Sequence, residues 1–114
     1  MFAHPSTREG LRWCFDTVLG CGPEISLALP GLSEPVLAYR FRGGGSVSIE
    51  FTTDGLDKAA ARRGAWLEIQ ADDPEALKQK ILDAGLPEVT HPGHDFYFAA
   101  PGGQVFTVVP ASEP

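Results

Sequence analysis

Apolar residues recur at helical spacing in two stretches of this 114-residue chain and alternate with polar ones along most of the remainder. Leu11, Cys14, Phe15 and Val18 stand at i, i+3, i+4 and i+7, the stripe of a helix that must bury one side against a sheet. Ser6-Thr7-Arg8-Glu9 has the spacing for Ser6 to cap the helix start and Glu9 to answer the cap amide, and Gly20 closes the helix. Strand patterns follow at 24–30, 36–42 and 46–52: Leu37, Tyr39 and Phe41 alternate with Ala38, Arg40 and Arg42, and Val47, Ile49 and Phe51 with Ser48, Glu50 and Thr52. Gly43-Gly44-Gly45 joins the last two as a hairpin.

The order then repeats. Residues 54–63 read as a short helix or a connecting loop, and Trp66, Glu68 and Gln70 alternate with Leu67, Ile69 and Ala71 as a strand. Asp72 or Asp73 caps a second helix with Pro74 in its first turn, a stripe of Leu77, Ile81 and Ala84, and Gly85 as its stop. Short strands at 89–91, 96–99 and 105–109 complete the unit. A shift of 66 carries Leu11 and Phe15 onto Leu77 and Ile81, and Glu9 onto Glu75, so the chain reads as an internal duplication within one domain, 1–114, with units at 1–53 and 64–110.

Composition removes several function classes. Fifteen acidic against nine basic residues give a net charge of −6, without a basic stripe, which excludes nucleic acid and anionic lipid as expected partners. No apolar run is long enough for a membrane span or a signal-peptide core, so the cytoplasm is the expected location. Cys14 and Cys21 then read as thiols, Cys14 inert within the apolar stripe, although a disulfide between them is conceivable. Gly43-Gly44-Gly45 lacks the following helix and Lys of a phosphate loop, and no nucleophile has a partner of recognisable spacing.

Strand alternation selects the candidate site. The face turned away from the helices carries Ser48, Glu50 and Thr52 in the first unit and Trp66, Glu68, Gln70, Val105, Thr107 and Val109 in the second, the make-up of a small-molecule pocket. Glu50 is the leading candidate, the alternative being an ion pair with Arg40 or Arg42 or a place in solvent. Trp66 and Glu68 on one face suit a cationic or nitrogen-rich ligand, or Trp66 fills the cleft or a dimer contact. Tyr97 points opposite to Phe96 and Phe98 and can close the pocket; His91 and His94 bracket a Pro92-Gly93 turn with no third ligand in view, and Arg62-Arg63 reads as a solvated surface pair.

Several local pieces resemble the vicinal oxygen chelate superfamily of glyoxalases, ring-cleaving dioxygenases and bleomycin-resistance proteins. These are Cys14-Phe15-Asp16-Thr17-Val18-Leu19-Gly20, Ile49-Glu50-Phe51, Ala71-Asp72-Asp73-Pro74-Glu75-Ala76-Leu77 and the turn and strand from Phe98 to Phe106. The resemblance implies an α+β fold in which two βαβββ modules form curled mixed sheets around a cleft, here with the first strand of module one shortened, commonly as a homodimer. Metal-dependent members place ligands on the first and fourth strands of each module. The matching positions here fall before Met1 and at Glu50, Trp66 and Thr107, so one of the four carries a carboxylate or imidazole. A His4, Glu50, Glu68 cluster would be a non-standard alternative, against a solvent-exposed His4.

The expectation is therefore a metal-free protein without cofactor that binds and sequesters an aromatic or cationic small molecule, as drug-resistance relatives do. Its ligand-binding residues would be Glu50, Trp66, Glu68, Gln70, Tyr97 and Thr107, with no catalytic residue assigned. A metal-dependent lyase or isomerase of the glyoxalase type and a non-catalytic structural or regulatory domain are the alternatives. The binding reading requires Trp66, Glu50 and Glu68 to face one common hollow.

Overall fold

The computed structural model describes residues 1–54, 65–90, 93 and 95–110. The first helical stretch is entered by a 3-10 turn, Pro5–Thr7, continues as α1 (Arg8–Arg12) and widens into a π-helical turn over Trp13–Val18, where the Leu19 amide donates to the Cys14 carbonyl at 2.9 Å. The expected cap is corrected. His4, rather than Ser6, accepts the orphan amide, its Nδ1 taking the Ser6 N–H at 3.1 Å, while Glu9 pairs with Arg12 at 3.2 Å. Pro5 favours this outcome because its fixed φ suits the first position of a helical turn, which moves the cap one turn upstream to His4. Gly20 ends the segment at φ 63°, a left-handed conformation that side chains other than glycine resist.

The second helix, α2 (Pro74–Asp83), is capped by Asp73, whose Oδ1 accepts from the Ala76 amide at 3.1 Å. Its Glu75 pairs with Lys78 as Glu9 pairs with Arg12, so the 66-residue shift also relates two i,i+3 ion pairs. Ile81 is fully buried, and Leu77 and Ala84 pack against the same core.

The strands are β1 (Phe2–Ala3), β2 (Ile25–Leu27), β3 (Val36–Arg40), β4 (Ser46–Phe51), β5 (Trp66–Ala71), β6 (Glu88–Val89), β7 (Tyr97–Ala99) and β8 (Val105–Pro110). They form two four-stranded sheets of identical order, β1-β4-β3-β2 and β5-β8-β7-β6. In each, the first and last strands pair parallel and the other pairs are antiparallel. The sheets are thus mixed, but the expected curl does not occur: both are open, and among the described residues no strand of one pairs with a strand of the other. Each ladder ends at its own outer strands, β1 and β2 in one sheet and β5 and β6 in the other, so neither closes into a curved wall.

One core unites the halves on the helix side. Val47, Ile49 and Phe51 of β4, Leu37 and Tyr39 of β3, and Phe106 and Val108 of β8 join Leu11, Cys14, Phe15, Ile81 and Phe98 in a single cluster. Phe15 lies at its centre, stacked on Tyr39 at 5.4 Å and edge-on to Phe41 at 6.1 Å and Phe106 at 5.8 Å, so one ring touches both sheets. Replacing Phe15 by Ala removes these contacts and leaves a cavity between the halves, and the urea midpoint should report a loss of about 3 to 5 kcal/mol.

Both cysteines are free and buried. Desolvation pushes the Cys14 thiol up to about 12 and the Cys21 thiol up to about 11, with smaller charge effects from Cys21 on Cys14 and from Asp16 on Cys21. Because the folded-state values lie above the ordinary 9.0, the unfolded chain releases these protons first. The stability they support is complete below about pH 8 and declines as pH rises toward the folded-state values. The urea midpoint is expected to fall between about pH 8 and 9.5, and the Cys14→Ala/Cys21→Ala double variant to show a shallower fall.

A candidate binding groove between the two sheets

The alternation of β4 sends Val47, Ile49 and Phe51 to the core and leaves Ser48 and Glu50 on the other face. Phe2 of β1 stands opposite Glu50 in the parallel register and is 63% exposed. Beside these strands runs an open groove of about 910 Å³. Its polar lining is Ser46, Ser48, Glu50, Thr52, Asp54 and Gln104; its apolar lining is Met1, Phe2, Val47, Ala65, Leu67 and Val105. The groove therefore bridges the first sheet and the leading ends of β5 and β8.

Two contacts tie the halves across it. The Gln104 side-chain amide donates to the Phe2 carbonyl at 3.3 Å. At the hairpin after β3, Gly43 lies so close to β5 that a Cβ would stand 2.3 Å from the Gln70 carbonyl oxygen, so only glycine fits this crossing. The charge of the lining is mainly negative. Glu50 is half-buried, makes no ion pair among the described residues, and shares the groove with Asp54, while the Met1 amino group donates to the Ser48 carbonyl at 2.8 Å. Arg42, considered as a partner for Glu50, instead donates from Nε to the Gly20 carbonyl at 2.8 Å.

Of the six residues expected to form the site, Glu50 alone lines the groove. Trp66 is 43% exposed and sits edge-on to Tyr97 at 5.6 Å, on the far side of β5 from Leu67. Glu68 and Gln70 are exposed along β5. Tyr97 is buried with Val89 and Val105 in a second, smaller apolar cluster, and a Cβ on Gly93 would lie 3.0 Å from its hydroxyl oxygen. Thr107 is wholly buried and donates from its hydroxyl to the Phe96 carbonyl at 2.7 Å. Among the described residues, this groove does not bring Trp66 and Glu68 together with Glu50. Tyr97 and Thr107 are buried in the second sheet, whereas Val105 borders the groove.

Strand parity alone did not locate the lining, because the groove lies between the two sheets and takes residues of both parities, Leu67 and Val47 beside Ser48 and Val105. Asp54 was legible as the next same-face position after Glu50 and Thr52, had the strand pattern been extended by two residues. Phe2, Leu67 and Gln104 carried no signal of their own.

The donors of a metal cage do not assemble. His4 is occupied in capping, with Nδ1 also 2.9 Å from Ser6 Oγ; Thr107 spends its hydroxyl on Phe96; and no group of three His, Cys, Asp or Glu among the described residues is placed to hold a metal ion. The alternative cluster of His4, Glu50 and Glu68 is therefore not formed. His91, His94, Arg62, Arg63 and the stretch 55–63 lie outside the described residues.

On the helix side a smaller concavity of about 370 Å³ is lined by Glu9, Arg12, Trp13, Asp16 and Glu24. Glu24 accepts from Arg12 Nε at 3.0 Å and from the Tyr39 hydroxyl at 2.5 Å. Burial, then the hydrogen bond to Glu24, raises the Tyr39 phenol above its ordinary value. This network fixes β3 to the first helix. Among the described residues, no helix is long and apolar enough to cross a membrane.

Thr107→Val should test the reassignment of Thr107: losing a buried hydroxyl donor leaves the Phe96 carbonyl unpaired at a cost of about 1 to 3 kcal/mol in urea unfolding. Ligand affinity at the groove is expected to stay unchanged in the same variant.

No family model matches the chain, and no curated protein matches it. Solved structures do. A glyoxalase/bleomycin resistance protein from Streptomyces sp. CB03234 aligns at 18% identity over 94% of each chain with a TM-score of 0.62. TnmS3, an antibiotic binding protein from the same organism, aligns at 18% identity over 95% of this chain and 89% of its own, with a TM-score of 0.63. A member of the glyoxalase/bleomycin resistance protein/dioxygenase superfamily from Sphaerobacter thermophilus DSM 20745 aligns at 14% identity over 96% and 93%, with a TM-score of 0.68. The chain shares the fold of these proteins over nearly its whole length.

Proposed function

We propose that this chain, built on the fold of the glyoxalase/bleomycin-resistance superfamily, is a binding protein for a small cationic molecule with an apolar or aromatic body. The observation that carries the reading is the groove's pairing of Glu50 and Asp54 with an apolar wall of Phe2, Val47, Leu67 and Val105. A half-buried carboxylate without an ion pair among the described residues is compensated by a ligand cation, and the wall takes the ligand's apolar part. Similarity in fold to an antibiotic binding protein supports sequestration as the mode of action. The donor set described above favours binding without a metal.

Relative to the sequence expectation, the charge partner changes. Asp54 takes the place given to Glu68, and Phe2 that given to Trp66. Trp66, Glu68 and Gln70 form the flank of β5 beyond the groove, where a ligand longer than the groove would extend. A homodimer is the assembly we propose, because Ile25, Leu27 and Leu29 around the edge strand β2 are all more than 40% exposed and a second copy would cover them.

The test is a calorimetric titration with the aromatic cation 9-aminoacridine and with neutral anthracene carboxamide as its uncharged counterpart. Glu50→Gln/Asp54→Asn should weaken the cation by about tenfold or more and leave the neutral compound within about twofold. Equal losses for both compounds, or no binding of either to the unaltered protein, would remove the electrostatic basis of the proposal.

A further inference from the structure

The least satisfied polar group bordering the groove is the side chain of Gln104. Its amide offers two donors on nitrogen and an acceptor oxygen with two lone pairs. Nε2 makes one long bond, to the Phe2 carbonyl at 3.3 Å, whereas Oε1 is buried and has no hydrogen-bond partner. Among the described residues it is the one buried side-chain oxygen or nitrogen left in that state. The turn ahead of β8 holds it there. The Ala100 amide donates to the Gln104 carbonyl and the Gly103 amide to the Ala100 carbonyl, each at 2.8 Å. Gly102 lies against the side-chain amide, since a Cβ there would stand 2.4 Å from Oε1. Exchanging Oε1 and Nε2 offers no relief, because two acceptors would then meet at Phe2. A buried acceptor without a donor is costly, and its persistence in a folded chain calls for a role.

We infer that Gln104 makes the groove selective for cations that carry N–H donors, such as a primary or secondary ammonium or a protonated aromatic amine, over quaternary ammonium ions of similar size. This rests on the groove binding a cation, as proposed above, and names the class of cation it takes. The lining asks for donors. Ionised Glu50 and Asp54 only accept, no Lys, Arg or His lines the groove, and the hydroxyls of Ser46, Ser48 and Thr52 belong to the opposite, β4 wall. Glu50 and Asp54 attract any cation, because Coulomb attraction takes no account of N–H groups. Gln104 does distinguish them. Turning its amide from Phe2 toward the groove exchanges one long bond for a bond from a charged donor, which is shorter and stronger. A quaternary ion leaves Oε1 unpaired, and a site with an unmet polar group rejects the ligand that cannot meet it.

The probes are 9-aminoacridine, whose cation has ring and exocyclic N–H groups, and 10-methylacridinium, which has the same three-ring body and charge but no N–H. Calorimetric titration of the unaltered protein should show 9-aminoacridine binding more tightly by about tenfold or more. Gln104→Met keeps the side-chain length and removes the acceptor, and should shrink that ratio by about fivefold or more, whatever it does to overall affinity. Gln104→Glu keeps an acceptor and should preserve the ratio. A change in groove shape alone would move both cations together. Equal affinity of the two cations for the unaltered protein, or an undiminished ratio in Gln104→Met, overturns the inference. Loss of the ratio in both variants also overturns it, because it would mark the bond to Phe2, rather than the acceptor, as the source of selectivity. If the two cations bind equally and neutral anthracene carboxamide binds more weakly, donor selection falls and the small-cation groove stands; if neither cation binds, both fall.

Discussion

The packing of Phe15 against both sheets is the interaction on which the arrangement of this molecule depends. Its ring stacks on Tyr39, meets Phe41 and Phe106 edge-on, and is itself fully buried. Among the described residues no strand of one half pairs with a strand of the other. The aromatic cluster joins the halves, aided by the Gly43 crossing and the Gln104 hydrogen bond. Burial of rings this size is worth several kcal/mol, whereas each of the lesser contacts adds about 1 kcal/mol.

Placing the joint on the helix side has a consequence for the other side. Two open sheets joined through a shared core on the helix side leave a groove on the other, with β4 on one wall and the leading ends of β5 and β8 on the other. Its chemistry comes from which residues border it. Glu50 follows the outward parity of β4, Asp54 comes from the turn after it, and Val47 and Leu67 enter because a groove between two sheets admits both parities. In the second sheet Tyr97 lies in a small buried cluster and Thr107 in a buried hydrogen bond, so neither is open to a ligand.

Local order was legible because it follows from short-range rules. The stripe of Leu11, Cys14, Phe15 and Val18, the Asp73 cap, the stops at Gly20 and Gly85, and the core-facing parities of β4 and β8 each depend on residues within one turn or one strand. The helix start was misread because Ser6 and Glu9 satisfied the spacing of a capping box, while Pro5 shifted the first turn upstream and gave the cap to His4. The fold was legible from the repeated order, and its topology in each half is the same. The curl and the common hollow were not, since both concern how one half sits against the other.

The sequence by itself determined which side chains are buried within each element, because alternation and helical spacing fix direction relative to the element's own backbone. Only the tertiary structure decided that Glu50 shares a groove with Leu67 and Asp54 rather than with Trp66 and Glu68. That choice is made by the relative placement of two sheets whose described strands do not pair with one another. It is set by a few long-range contacts, a ring, a glycine and an amide, whose sequence separation leaves no periodic trace.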